Sequence, residues 1–179
     1  MFYERSRDME FSDVIRERYS TRIFSDREIE QEKLDKVIEA GMLAPTAQNR
    51  QPQRVYVIRS KEAIEKVRSV TRCAFNAPVV IMVAYNKCEQ WENDLEADVK
   101  SGVEDASIVA VHMMLAAADL GLGTCWVNWF SNTELEKVFE LPEDERTVMI
   151  MPIGYAADKS TPSPKHTQSR DKDEIVKYL

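Results

Sequence analysis

Two histidines, three cysteines and five glycines are a thin supply for a chain of 179 residues, and each shortage removes a class of chemistry. His112 and His166 are too few and too far apart for a metal cluster. Cys73, Cys88 and Cys125 are odd in number and contain no Cys-x-x-Cys pair, which argues against a disulfide framework and a structural zinc site. With so few glycines there is no phosphate loop, no Gly-x-Gly-x-x-Gly turn and no Gly-x-Ser-x-Gly elbow. No apolar run reaches the ~20 residues of a membrane helix. Residues 1–10 alternate in charge without an apolar core, so a leader peptide is not expected and the cytoplasm is the default location. Basic residues are also in deficit, 24 against 31 acidic for a net charge of −7, which excludes a general nucleic-acid binder. Any anion site must be a local concentration of arginine.

What is present is an ordinary globular composition, 44% hydrophobic and 31% charged. With no repeat and no flexible linker, one domain over residues 1–179 is expected. Its organising stretch is residues 107–120, apolar on every side of a helical wheel except at Ser107, His112 and Asp119. A helix without a wet face belongs to a core or an interface. Ala110, Ala116, Ala117 and Ala118 would admit another backbone or a flat ligand, although core packing is the commoner use of such residues. His112 reads as a packed core histidine. Gly121 and Gly123 stand where left-handed backbone ends a helix. Residues 124–130, β-branched and aromatic, are expected to form a strand buried on both faces.

Around this unit, apolar spacing predicts helices over residues 11–18, 30–42 and 61–70, and one after Asn132 as its cap. Strands are expected over 54–59, 77–85 and 147–155, and residues 89–100 form an acidic surface connection. Residues 156–179 differ from the rest: polar, interrupted by proline, and ending in Ile175, Val176, Tyr178 and Leu179. Such an arm either docks on a second subunit or folds back on its own domain.

Two short segments carry polar chemistry. In the first, Arg18 and Arg22 bracket Ser20 and Thr21, with Tyr19 between. Guanidinium forks and hydroxyls converge well on phosphate oxygens, and the competing reading is a solvated basic face. In the second, residues 44–52, the amides Gln48, Asn49 and Gln51 lie between Pro45 and Pro52. Amide side chains offer donor and acceptor together, which suits the edge of a heterocycle, and a stiff polar turn is the alternative.

Taken in order, residues 18–22, 44–52, 120–126, 153–155 and the pair Ser169 and Arg170 resemble the nitroreductase family of flavin mononucleotide (FMN) enzymes. The resemblance implies an α+β fold, a mixed, mainly antiparallel sheet flanked by helices, in an intertwined homodimer with FMN at the subunit interface. It implies that Arg18, Ser20 and Arg22 hold the FMN phosphate and ribityl chain, with Tyr19 close by and Arg170 joining from the arm. Asn49, surrounded by Pro45, Thr46, Ala47 and Gln51, would face the isoalloxazine ring from the other subunit. Trp126, Val127, Asn128 and Trp129 would present backbone N–H groups to flavin N5.

The implied activity is an oxidoreductase passing hydride from NADH or NADPH through flavin N5 to a small electron-poor acceptor such as a nitroaromatic or quinone. No catalytic side chain and no metal are implied. Reductive dehalogenation, ring oxidation and a non-catalytic flavin-binding sensor are the alternatives, beside a plain interaction domain. Three positions depart from the family pattern: Gln53 replaces a frequent tryptophan, Trp129 a frequent glycine, and Gln168 a lysine found in some relatives. The chain is also short before its central helix, where longer relatives carry an insert. These departures bear on the acceptor more than on the cofactor.

Overall fold

The computed structural model describes residues 10–179, so the charge-alternating stretch up to residue 9 lies outside the described residues. The elements in chain order are α1 (Phe11–Glu17), α2 (Gln31–Met42), β1 (Gln53–Ile58), α3 (Lys61–Val70), β2 (Val79–Asn86), α4 (Gly102–Asp119), β3 (Gly123–Thr124), α5 (Asn132–Val138), β4 (Glu145–Gly154) and α6 (Lys172–Ile175). The strands form one sheet in the order β1-β2-β4-β3, antiparallel in every ladder. A parallel bridge between Ser20 and Thr124 makes the sheet mixed. This is the α+β architecture that the sequence led us to expect.

Strand periodicity explains the layering. Along β2, Val79, Ile81 and Val83 join Val37 of α2 and Val109, Ala110 and Met113 of α4 in one core. Val80 and Met82, pointing the other way, join Ile64 and Val67 of α3 and Leu135 of α5 in a second core. With helices on both faces, β2 and β4 have no wet side, and so their sequences run apolar without alternation.

Helix α4 begins at Gly102, five residues ahead of the apolar run, because Ser101 and Asp105 build its first turn: Ser101 Oγ donates to Asp105 Oδ2 at 2.7 Å. Val109, Ala110, Met113 and Ala117 are buried, whereas Val103 is 54% exposed and Ile108 and Val111 are each 39% exposed. The far end is a Schellman turn, with Leu122 N donating to Ala117 O at 2.8 Å and Gly121 N to Ala118 O at 2.9 Å. Gly121 takes φ +74°, as expected of that turn. Gly123 serves another purpose, since a Cβ there would come within 2.5 Å of Thr21 Oγ1.

Two local expectations are corrected, and the alternative left open for the arm is decided for its first part. Residues 124–130 are not a strand buried on both faces: they lie at the sheet edge, with β4 on one side and only the short segment around Ser20 and Thr21 meeting Thr124 on the other. Their pairing falls to Gly123 with Gly154, Thr124 with Ile153 and a later bridge from Val127 to Ile150. Asn128 is exposed and Trp129 is 61% exposed. The cap of α5 is Ser131, whose Oγ accepts from Glu134 N at 3.3 Å, while Asn132 Nδ2 donates to Thr147 O at 2.5 Å. In the C-terminal arm, the first part folds back on its own chain: Ala157 N donates to Ile23 O at 3.0 Å, and Tyr19 Oη to Ser160 Oγ at 3.2 Å. Its apolar end, Ile175, Tyr178 and Leu179 included, stays exposed. No helix among the described residues is long and apolar enough to cross a membrane.

Candidate functional site

Residues 18–22 are held along the β3 edge by backbone. Thr21 N donates to Thr124 O at 2.9 Å, and the close approach of Gly123 to Thr21 needs a residue without a side chain. Thr21 is thereby buried, and its neighbours Arg18 and Ser20 are half-buried while Arg22 is exposed. Other arginines nearby are already engaged. Arg16 meets Asp13 at 3.9 Å, and Arg27 pairs with Glu30 at 2.6 Å while stacking over Tyr155. Arg18 and Arg22 form no ion pair among the described residues, and Arg22 Nη1 reaches only Ser20 O, at 3.3 Å. Two unpaired guanidinium groups in an acidic chain make a receptor for an anion.

A cavity of about 220 Å³ opens beside them, walled by Glu17, Arg18, Tyr19, Thr21, Gly121 and Thr124 among others. Thr124 Oγ1, fully buried, has no hydrogen-bond partner. A buried hydroxyl left unpaired is costly, and a ligand atom at this wall would satisfy it. Burial pushes the Cys125 thiol up, against the opposing influence of Arg22, a hydrogen bond with Ser20, and Arg18, so it is a packed thiol and not a poised nucleophile.

Beyond Cys125 the chain offers main-chain donors. Val127 N–H is taken by Ile150 O at 3.0 Å, and Phe130 N–H by Asn128 O at 3.0 Å. The alternation of an edge strand turns the N–H groups beside Val127 away from β4, and those of Trp126, Asn128 and Trp129 make no hydrogen bond among the described residues. The side chains are locked instead: Trp126 Nε1 donates to Asn128 Oδ1, and Asn128 Nδ2 to Val148 O at 2.7 Å. Rigid side chains and open main-chain donors suit the fixed edge of a flat ligand.

The amide loop is a separate, strained object. Gln48, Asn49 and Gln51 all have left-handed backbone, with φ 51°, 56° and 50°. Each such position costs on the order of 1 kcal/mol and persists only where the surroundings impose it. Gln51 N donates to Thr46 Oγ1 at 3.1 Å, Gln51 Nε2 to Asn49 Oδ1 at 2.9 Å, and Ala47 N to the buried carboxylate of Asp105 at 2.8 Å. Pro45 and Asn49 are exposed at the same surface. Asp105 opens α4, whereas residues 18–22 sit beyond its closing turn, a helical separation of about 20 Å. Within one protomer the two predicted segments therefore lie at opposite ends of α4.

Arg170 is exposed in the arm and makes no hydrogen bond or ion pair with residues 18–22. Sequence reasoning missed Asp105, which holds the loop, and Thr124, whose hydroxyl is orphaned. It also missed Arg72, whose guanidinium lies 4.3 Å over the Trp129 ring. An acidic residue and a serine four apart at a helix start were a visible signal for Asp105; nothing local points to Arg72. No group of three or more metal-ligating side chains occurs among the described residues.

The chain is similar to known proteins. The model of the nitroreductase family matches residues 15–75 and 71–155, leaving the arm outside the match. A nitroreductase family protein of Clostridium difficile 630, known from its crystal structure, is 36% identical. It superposes with a TM-score of 0.88 over 95% of this chain and 98% of its own. A Methanothermobacter thermautotrophicus protein, provisionally named NADH dehydrogenase/NAD(P)H nitroreductase, is 31% identical over 84% of this chain and 79% of its own length. The Bacillus subtilis FMN reductase [NAD(P)H] is 28% identical over 83% of this chain and 67% of its own length.

Proposed function

The chain belongs to the nitroreductase family, and from that premise we propose that it is an FMN-dependent NAD(P)H oxidoreductase acting on a small electron-poor acceptor. The observation that carries the reading is the co-location, along one sheet edge, of an unpaired arginine pair and a row of unpaired main-chain donors. The donor set fits FMN: cations and hydroxyls for its phosphate, and N–H groups for the nitrogen edge of its ring. When bound, FMN supplies the hydride relay between nicotinamide and acceptor.

In this reading Arg18 and Arg22 neutralise the phosphate, with Ser20 and the orphaned Thr124 hydroxyl completing its shell and Arg170 reaching it from the arm. Asn128 and Trp129 donate N–H groups to the ring, preorganised because Val127 is pinned to Ile150. Tyr19 is anchored by Ser160 at the margin of the site. The loop from Pro45 to Gln51 presents Asn49 to the ring of the other protomer, since one loop and one arginine pair lie at opposite ends of α4. That division calls for a homodimer, and the half-exposed Val103, Ile108 and Val111, with Met42 and Leu43, supply an apolar face for it. We read residues 1–179 as one FMN-binding domain with a C-terminal arm, 156–179, whose first part packs on its own chain and whose exposed apolar end reaches the partner. The supply of reduced nicotinamide puts it in the cytoplasm.

The deciding experiment is the visible absorption spectrum of the purified protein with FMN, followed by anaerobic NADH and NADPH. A bound-flavin spectrum that bleaches with either nucleotide supports the reading. A protein that neither perturbs FMN nor consumes nucleotide with any acceptor overturns it.

A further inference from the structure

A cleft of about 680 Å³ lies where the end of α3 meets the start of α5, walled by Arg68, Thr71, Arg72, Trp129 and Ser131 among others. It shares Trp129 with the segment read above as the cofactor edge. Its chemistry is specific. Trp129 is 61% exposed, a large cost for an indole that serves only to pack. Thr71 Oγ1 donates to Trp129 O at 2.8 Å and fixes the base of that side chain.

Arg72 stacks at 4.3 Å on one face of the indole, which orients its guanidinium plane while leaving the edge N–H groups free. Arg68 is paired with Glu65, but Arg72 has no carboxylate partner among the described residues. An oriented, unpaired fork beside an exposed indole is a receptor for a flat ring bearing an acidic group, with the Ser131 hydroxyl, whose own proton is unspent, at hand for one of its remaining oxygens.

We propose that this cleft selects a planar aromatic or heteroaromatic ligand carrying a carboxylate or phosphate, with Arg72 as the specificity-determining residue and Trp129 as the stacking surface. The inference rests on the reading of Asn128 and Trp129 as the cofactor edge. Two sources offer such a ligand: an acceptor with an acidic substituent, and the phosphorylated adenosine end of NADPH.

Isothermal titration calorimetry on the full-length protein, with and without FMN, tests the cleft with two pairs of probes. 4-Nitrobenzoate against 4-nitrobenzamide reports on an acidic acceptor, and 2′-phosphoadenosine against adenosine on the nucleotide. At least one anionic probe should bind roughly tenfold or more tightly than its neutral counterpart, the difference a charge-assisted hydrogen bond supports. The pair that discriminates names the source. Arg72→Gln should abolish the discrimination, Arg72→Glu should invert it, and Trp129→Leu should weaken both members of the pair. Equal binding of charged and neutral probes by the natural protein, or discrimination that survives Arg72→Gln, overturns the proposal. A protein that fails to bind FMN yet keeps the Arg72-dependent preference would sink the oxidoreductase reading and leave the cleft's selectivity standing.

Discussion

At the β1 edge of the sheet, Arg54 donates to both oxygens of Glu89 at 2.7 Å and approaches Glu145 Oε1 at 3.5 Å, while Tyr56 Oη donates to Glu145 Oε2. Asn86 Nδ2 closes the same end through Asp144 at 2.6 Å. At the β3 edge, Arg18 and Arg22 have no carboxylate, Thr124 Oγ1 has no partner, and the N–H groups around Val127 face outward. Both edges carry arginine on a strand margin, yet one is closed by the protein and the other is left open. On the reading proposed above, the difference separates a charge kept for the fold from a charge kept for a ligand. One atom breaks the pattern at the closed edge: Gln53 Oε1 is buried without a partner.

The sharpest test removes one arginine from each edge. Arg54→Ala removes the cation facing the buried Glu145 carboxylate and leaves it only Tyr56, and breaking such a pair costs about 3 kcal/mol, toward the lower end because Arg54 is partly exposed. Urea unfolding should register that loss while FMN affinity stays unchanged. Arg22→Ala should do the opposite. Loss of a charge-assisted hydrogen bond costs roughly 1.5 to 3 kcal/mol, so FMN should dissociate about ten to a hundred times more readily, with the unfolding midpoint of the apoprotein unmoved. A variant pair that exchanged these outcomes would dissolve the distinction between the two edges.

A smaller effect sharpens the open edge alone. Gly123→Ala places a Cβ within 2.5 Å of Thr21 Oγ1 and 2.8 Å of its other side-chain carbons, against a buried β-branched side chain with little room to move. Overpacking of this kind costs about 1 to 3 kcal/mol, and it should displace residues 18–22 from β3. Calorimetry of the apoprotein reads the first effect and an FMN titration the second. Retained affinity would mean that the arginines do not depend on their seat beside Thr124.

The closed and open edges were not equally visible in the sequence. Periodicity located α2, α3, β2 and β4, because a face packed against a neighbour leaves a repeat in the chain itself. Residues 124–130 misled, since Trp126, Val127 and Trp129 have strand propensity whether or not a second face is covered, and only topology puts them at an edge. Arg18 and Arg22 were recognisable as a motif, but that they are unpaired while Arg16 and Arg27 are not depends on side-chain directions that spacing does not encode. Asp105 and Ala47 meet through the tertiary fold across 58 positions, as do Thr71 and Trp129, and no local pattern announces such a contact. Propensity reports on the neighbours a residue has in sequence; the site is built from neighbours it acquires on folding.

The weakest expected effect belongs to Tyr56, and it checks that the β1 edge is closed by hydrogen bonding as well as by charge. Burial, then the hydrogen bond to Glu145 and that carboxylate's charge, push the Tyr56 phenol up to about 12, with Arg54 opposing. A folded-state value above the unfolded one, about 10 for a free phenol, means that the neutral form is the one the fold favours. Its contribution is therefore complete below about pH 10 and is lost as pH rises from there through about 12. Tyr56→Phe should cost about 1 kcal/mol at neutral pH, the net worth of one hydrogen bond. The gap between the natural protein and the variant should then close in alkaline solution, followed by urea midpoints at each pH. A gap that stays constant to pH 12 would show that the hydroxyl does not bond Glu145 in solution, and that Arg54 alone neutralises that buried carboxylate.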